Sequence, residues 1–195
     1  MLLKKLIKSK KLNFPFKKIK GISFDSRKTK RGDIFVAIKG SKYNGNNFIN
    51  EALSKGASYI IHSNNVKKNN KTNHIHVRDS RKALAFLSSK YFKKKPKNLI
   101  AVTGTNGKTS VSDFFYQILQ NQNKRVGFIG TLGLKKNNNL KKRDLTTSDS
   151  LSLHKDLEEM KNSNINNVII EASSHGLKQK RLNYLKIKAG IFTNL

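Results

Sequence analysis

Apolar residues in this chain gather in short runs separated by long polar stretches rich in lysine and asparagine, and the periodicity within the runs predicts two successive α/β patterns. In the first, between Gly21 and about Val77, Asp33 to Ile38 reads as a strand, Asn47 to Lys55 as a helix and Ser58 to His62 as a strand. Asn64 to Asn73 is polar and is expected to form a surface loop. Asp79 is the predicted N-cap of a helix that runs through Leu84, Phe86 and Leu87 to about Tyr91, and KKKPK, with Pro96, then marks a linker.

The second pattern starts at Asn98. The buried strand LIAVT leads through a glycine turn into a helix from Lys108 to Gln120 and then the strand RVGFI, a βαβ unit of the kind that builds parallel sheets. Lys135 to Arg143 is expected to be a polar loop, followed by a helix from about Ser150 to Met160, a strand from Asn167 to Glu171 and a last apolar run from Ala189 to Phe192. The fold class is therefore α/β: a small N-terminal α/β domain over residues 1–92, a linker at 93–97, and a P-loop parallel-sheet domain over 98–195 that is expected to be incomplete.

Composition narrows the function classes. With 195 residues the chain can bury a core of substantial size, and its apolar share of 36% lies in runs such as IFVAI and NVIIEAS, so it reads as globular. There is no cysteine, which excludes disulfides, thiol nucleophiles and thiolate metal sites. The start, MLLKKLIKSKK, lacks the apolar h-region of a signal peptide, and no apolar stretch is long enough to cross a bilayer, so a cytoplasmic location without membrane association is expected. The formal charge of +30 would suit an anionic polymer. Its lysines are spread through nearly every loop, arginine is scarce and aromatics are not interleaved with the basic runs, so a nucleic-acid partner is not expected.

The most informative segment is VTGTNGKTS. It places Gly104, Thr105, Asn106, Gly107, Lys108, Thr109 and Ser110 between a buried strand and a helix, where a phosphate-cradling loop belongs. Glycines let the backbone turn its N–H groups inward, and the helix N-terminus adds partial positive charge. Lys108 can reach the β- and γ-phosphates of a nucleotide and the Thr109 hydroxyl can ligate Mg²⁺. The spacing, G-x-x-G-K-T, is two residues shorter between glycines than the general P-loop pattern.

TGTNGKTS, LTTSDSLSLHKDLEEM, VIIEASSHGLKQKRL and AGIFTNL occur in the order and approximate spacing of the Mur ligases, and GISFDSRKTKRGDIFVAIKGSKYNG resembles that family's UDP-sugar-binding domain. The resemblance runs from Gly21 to Leu195 and is nearest to the branch that adds the third peptide residue in peptidoglycan synthesis. It implies an ATP-dependent amide ligase using Mg²⁺, with UDP-MurNAc-L-Ala-D-Glu and a diamino acid, diaminopimelate or lysine, as substrates, acting as a monomer. ATP would phosphorylate the peptide carboxylate, and the incoming amine would attack the acyl phosphate; bringing two anions together requires cations to offset their repulsion.

By the same resemblance Lys108 and Glu171 are the catalytic pair, and Thr109 and Glu171 the metal ligands. Glu171 ends the apolar strand Val168-Ile169-Ile170, so it should emerge at the carboxyl edge of the sheet, where such folds bind ligands. Thr146, Thr147, Ser173, Gln179 and Arg181 resemble residues that hold the UDP-sugar peptide, as do Phe24, Ser26, Ser41, Lys42 and Tyr43 in the first domain. The structural alternatives are plain: hydroxyls near helix starts cap them, Arg181 could be a surface charge, Asp25-Ser26-Arg27 could be a turn closed by its own side chains, and Gly40 to Asn46 could be a plain loop. His175 has no partner visible in sequence and carries no assigned role.

Ser148 stands where the family usually has Pro, Ala172 where Val is common and Ser110 where a second Thr is common. The family's later Asp-His segment, its carbamylated lysine and its amino-acid-binding domain have no counterpart in the 195 residues, so these residues alone are expected not to turn over. Rival readings are another member of the superfamily, such as a folylpolyglutamate or cyanophycin synthetase, which would not predict FDSR and GDIFVAIKG; a ligand-binding copy without catalysis; and a basic nucleic-acid-binding module.

Overall fold

The structure, a computed structural model, describes residues 19–40, 43–63, 73–136, 139–143 and 145–194. It divides into two compact units, Met1–Leu87 and Ser88–Leu195, with the division falling inside the helix that Asp79 was expected to cap.

In the first unit four parallel strands, β1 (Gly21–Ser23), β2 (Asp33–Val36), β3 (Tyr59–His62) and β4 (Asn73–His76), lie side by side in sequence order. Every residue of β2 and β3 is buried, which is why both read as unbroken apolar runs rather than as alternating ones. Phe35 and Ile60 pack with Ile49 and Ala52 of helix α1 (Ile49–Ser54), with Leu53 at the margin. The helix expected from Asn47 begins as a 3₁₀ turn, Gly45–Phe48, because the Asn44 side chain accepts the N–H of Asn46 and closes a tight turn first. Strand β2 stops at Val36, two residues short of the expectation, since the Ile38 carbonyl accepts from Gly45 instead of a neighbouring strand. Residues 64–72 of the expected surface loop lie outside the described residues, and Asn73 opens β4 rather than closing a loop. Asp79 caps helix α2 (Ser80–Tyr91) by accepting from the N–H of Lys82 at 2.9 Å, as its sequence position predicts.

Among its described residues the second unit holds six strands: β5 (Asn98–Thr103), β6 (Val126–Gly130), β7 (Gly133–Lys136), β8 (Asn139–Lys141), β9 (Asn167–Glu171) and β10 (Ala189–Phe192). Their order is β10-β5-β9-β6-β7-β8, parallel as far as β6 and antiparallel from β6 to β8. The β5–β6 crossover therefore skips a place, and β9 fills it. Alternation along β9 separates two cores: Val168 and Ile170 face Leu153, Leu157 and Met160 of helix α4 (Ser150–Asn162), while Ile169 faces Val102, Phe128 and Tyr116, the last from helix α3 (Lys108–Asn121). Leu153, Leu157 and Met160 recur at the i, i+4, i+7 spacing of one helical face, and each fully buried side chain contributes roughly 1.5–3 kcal/mol.

Lys135 to Arg143 is not a loop: β7 and β8 form a hairpin at the sheet margin. Its polar composition hid it from the periodicity argument. Lys135 ion-pairs with Asp113 while its ammonium lies 5.3 Å from the ring centroid of Tyr116 and 5.4 Å from that of Phe128, so a charged residue covers the apolar surface here.

Candidate functional site

The phosphate loop connects β5 to α3 in the predicted place. Gly104 has φ 140° and Gly107 φ 78°, both unfavourable for a residue with a side chain, and a Cβ on Gly104 would also run into Thr193 Oγ1. Gly107 caps α3 with no side-chain hydrogen bond, leaving the first-turn N–H groups directed at whatever occupies the loop. Lys108 Nζ donates to the carbonyls of Gly104 (2.6 Å) and Thr105 (2.9 Å), which holds its charge over the loop rather than out in solvent.

Glu171 ends β9 beside this loop, where its strand position predicted it. It is fully buried. Its Oε2 accepts from Thr109 Oγ1 at 3.2 Å and from Thr131 Oγ1 at 2.8 Å, while its Oε1 is buried with no hydrogen-bond partner. Gly130 is needed here, since any Cβ would collide with the carboxylate. A buried carboxylate oxygen without a donor is costly, and a cation is its natural complement. Among the described residues no three His, Cys, Asp or Glu side chains come together as a self-sufficient metal site. One carboxylate with two hydroxyls is nonetheless a set that suits Mg²⁺, which is commonly held by one or two carboxylates together with substrate phosphates and water. Thr109, Thr131 and Glu171 fit that ion in that way.

The expected peptide-binding residues converge on the same end of the sheet, with different burdens. Thr147 is buried, and its hydroxyl donates to the Glu171 carbonyl (2.8 Å), accepts the Ser173 N–H (2.9 Å) and lies 3.1 Å from Ser173 Oγ. It is a brace for the Glu171–Ser173 backbone. Ser173 caps the short helix α5 (Ser174–Lys178) through the Gly176 N–H. Thr146 is half-buried, and its hydroxyl lies 3.1 Å from Thr131 Oγ1, whose single proton serves Glu171. Arg181 donates from Nε and Nη2 to Gln179 Oε1 at 3.1 and 2.8 Å and from Nη1 to the Thr147 carbonyl, so it is tied into the site and is not a stray surface charge. Because a guanidinium only donates, the Gln179 oxygen must face it, which turns the Gln179 amide nitrogen toward His175 Nε2, 2.5 Å away. His175 Nε2 is thereby an acceptor and its ring hydrogen belongs on Nδ1.

In the first unit Phe24, Ser26 and Tyr43 line a cavity of about 460 Å³ together with Asp25, Arg27 and Phe48. Ser41 and Lys42 lie outside the described residues. Tyr43 is largely exposed and meets Phe48 edge to face at 6.4 Å, leaving an open aromatic wall. Ser26 is buried and donates to Glu51 Oε2 at 2.6 Å; that bond, with Lys55 behind it, holds the Glu51 carboxyl below its ordinary pKa. Asp25 accepts from the Arg27 side chain and N–H, so the FDSR turn is indeed closed by its own side chains, and that closure shapes the cavity wall.

Comparison with known proteins decides the family. Residues 18–92 match the family described as "Mur ligase family, catalytic domain", and residues 102–195 match "Mur ligase middle domain". The chain belongs to the Mur ligase family. It is 40% identical over 177 residues to the UDP-N-acetylmuramoyl-L-alanyl-D-glutamate--2,6-diaminopimelate ligase of Rhizobium meliloti (strain 1021), covering 91% of this chain and 36% of that protein. To the enzyme of the same name from Rickettsia prowazekii (strain Madrid E) it is 43% identical over 191 residues, covering 94% of this chain and 39% of the relative. A solved structure bearing that enzyme name superposes with a TM-score of 0.82 at 31% identity, over 95% of this chain and 38% of the other. The chain thus spans less than two-fifths of the length of these Mur ligases.

Three residues that meet the candidate site carry no role in the sequence analysis. Thr131 follows β6 in an unremarkable Gly-Thr-Leu-Gly turn and gains meaning only through its bond to Glu171. Thr193 and Asn194 lie in the AGIFTNL motif, but only the β10–β5 pairing brings them to the phosphate loop.

Proposed function

We propose that this chain supplies the UDP-sugar-binding and ATP-binding parts of a ligase that joins diaminopimelate to UDP-MurNAc-L-Ala-D-Glu, with residues 1–92 and 98–195 as the two functional domains and 93–97 as their linker. The observation that carries this reading is the buried Glu171 carboxylate, with one oxygen unpartnered and the other bonded to Thr109 of the phosphate loop. The named relatives supply the substrate class.

In this reading the Gly104 to Ser110 loop is the ATP site: its backbone N–H groups from Gly107 onward, at the start of α3, hold the phosphates, and Lys108 offsets charge on the transferring phosphoryl group. Mg²⁺, held by Glu171 and Thr109, would neutralise the β- and γ-phosphate oxygens. The peptide carboxylate attacks the γ-phosphorus and ADP departs; the amine then attacks the acyl carbon and inorganic phosphate leaves. Arg181, kept in place by Gln179 and the Thr147 carbonyl, recognises the anionic peptide together with Thr146 and Ser173. Phe24, Ser26 and Tyr43, with Ser41 and Lys42, take the uridine nucleotide end. The substrates, two nucleotides and an amino acid, are water-soluble, in keeping with a cytoplasmic setting, and no helix among the described residues is long and apolar enough to cross a membrane.

Titration calorimetry of the chain with UDP-MurNAc-L-Ala-D-Glu and, separately, with ADP plus Mg²⁺ tests the proposal. Saturable binding of both is expected. Retention of duplex DNA that weakens steeply with salt, combined with no uptake of either nucleotide, would instead make the +30 charge the functional feature.

A further inference from the structure

The shortened phosphate loop is closed by a strut from another strand. Strand β10 pairs in parallel with β5, Phe192 opposite Thr103, so the residues after β10 run beside the residues after β5. Thr193 N–H donates to the Thr103 carbonyl at 2.9 Å, extending the ladder by one step. Beyond it Asn194 Oδ1 accepts two consecutive loop N–H groups, those of Thr105 (2.9 Å) and Asn106 (3.1 Å). Asn194 Nδ2 donates to the Asn106 carbonyl at 3.3 Å, and Thr193 Oγ1 donates to the same carbonyl at 2.5 Å.

A single carboxamide therefore satisfies both donors and, with Thr193, the acceptor at the tip of the loop. Thr105 and Asn106 are exposed, and among the described residues Asn194 is the partner of both N–H groups. Two consecutive N–H groups converging on one oxygen is the geometry of an anion-binding nest, and here the oxygen belongs to the protein. The tip donors are consequently occupied, which leaves phosphate to the N–H groups from Gly107 onward and to Lys108. A loop with two fewer residues between its glycines has less backbone with which to brace itself, and the Asn194 side chain, two residues past β10, makes good the difference.

We infer that Asn194 is a positioning residue for the nucleotide site: it fixes the Thr105–Asn106 tip so that the first turn of α3 and Lys108 meet the phosphates. The inference rests on the ATP-binding reading of the loop, but the strut can be tested without nucleotide. Amide hydrogen exchange, followed by NMR in the nucleotide-free 195-residue chain, reads the Thr105 and Asn106 N–H groups directly. Asn194→Ala should speed their exchange roughly ten-fold, the effect of losing one net hydrogen bond each, with the melting temperature and the exchange of β5 unchanged. Asn194→Asp keeps the accepting oxygen and should restore protection, yet its negative charge beside the phosphate site should leave MgADP binding weak. MgADP affinity measured by calorimetry should fall about ten-fold in Asn194→Ala while UDP binding is untouched. Unchanged exchange at Thr105 and Asn106 in Asn194→Ala would overturn the strut. Lost protection with unchanged MgADP affinity would overturn the positioning role. If the unmodified chain takes up no MgADP, the ATP reading of the loop fails and the positioning role falls with it, while the exchange result still decides the strut.

Discussion

Thr131 Oγ1 lies 2.8 Å from Glu171 Oε2, nearer than Thr109 Oγ1 at 3.2 Å, so the carboxylate of β9 is oriented chiefly by a residue from the turn after β6. The buried Oε1 is thereby left against Gly130 at the end of β6, without a donor. Orientation of a metal-binding carboxylate by a neighbouring hydroxyl is a common way to tune such a ligand.

Thr131→Val removes that donor and keeps the shape. The expected result is that the Mg²⁺ concentration needed for half-maximal ADP binding rises roughly ten-fold, the range for loss of a hydrogen bond to a charged group, while ADP affinity at saturating Mg²⁺ changes little. Calorimetry across a Mg²⁺ series measures it. An unaltered Mg²⁺ requirement would show that Thr131 does not orient Glu171.

Glu171→Gln should separate stability from binding. A buried carboxylate with one unsatisfied oxygen destabilises the empty fold, and an amide of the same shape relieves the charge while Thr109 and Thr131 can accept its hydrogens. The melting temperature should rise by about 2–4 °C, the equivalent of roughly 1 kcal/mol in a chain of this size, while Mg²⁺-dependent ADP binding is lost. A fall in melting temperature would mean that the carboxylate is a structural element.

Thr147→Val tests the brace. The substitution strands the part-buried Ser173 N–H and the buried Glu171 carbonyl, two backbone groups that Thr147 now satisfies. Urea denaturation should show a loss of about 1–3 kcal/mol. A change within experimental error would leave Thr147 free to be a ligand contact rather than a brace.

His154 and Asp156, both buried on α4, should give opposed pH dependences of stability. Burial, aided by the nearby Lys95 charge, lowers the His154 pKa from 6.5 to about 4, so the stability it contributes is present above pH 6.5 and lost as pH falls toward 4. Burial raises the Asp156 pKa from 3.8 to about 6 against the pull of Arg143, so its contribution is present below pH 3.8 and lost as pH rises through 6. Between pH 4 and 6 the two slopes offset each other. His154→Leu removes one of them, and urea denaturation at pH 4, 5 and 6 should then show stability falling with rising pH, relative to the unmodified chain, by roughly 1–3 kcal/mol over the window. Parallel pH profiles for the two proteins would refute the offset.

Much of the second unit was legible because its chemistry is local. Ser173 sits before a helix as a cap, Gly104 and Gly107 supply positive φ where the loop turns, and the apolar run Val168-Ile169-Ile170 names a strand with Glu171 at its carboxyl end. The hairpin β7–β8 was not legible, since its residues are lysine, asparagine and leucine without strand alternation, and its stability comes from pairing with β6 and from Lys135 lying over Tyr116 and Phe128. Thr147 shows a subtler limit. Its residue type suits both ligand contact and backbone bracing, and burial alone reveals the second.

What the amino-acid order determined by itself is the apolar elements of the sheet core and the helices between them, because caps, glycine turns and apolar periodicity act over a few neighbouring positions. Those local signals placed Gly104 to Ser110 as a phosphate loop and Glu171 at a strand end, and the resemblance to the Mur ligases joined the two in one chemistry. Which strands became neighbours was decided by the tertiary structure: β9 enters between β5 and β6, and β10 lies against β5. Those placements set Glu171 against Thr109 and Thr131, and Asn194 against Thr105 and Asn106. These contacts join residues 40 to 89 positions apart, and no local preference can encode them; they follow from burying both faces of a parallel sheet.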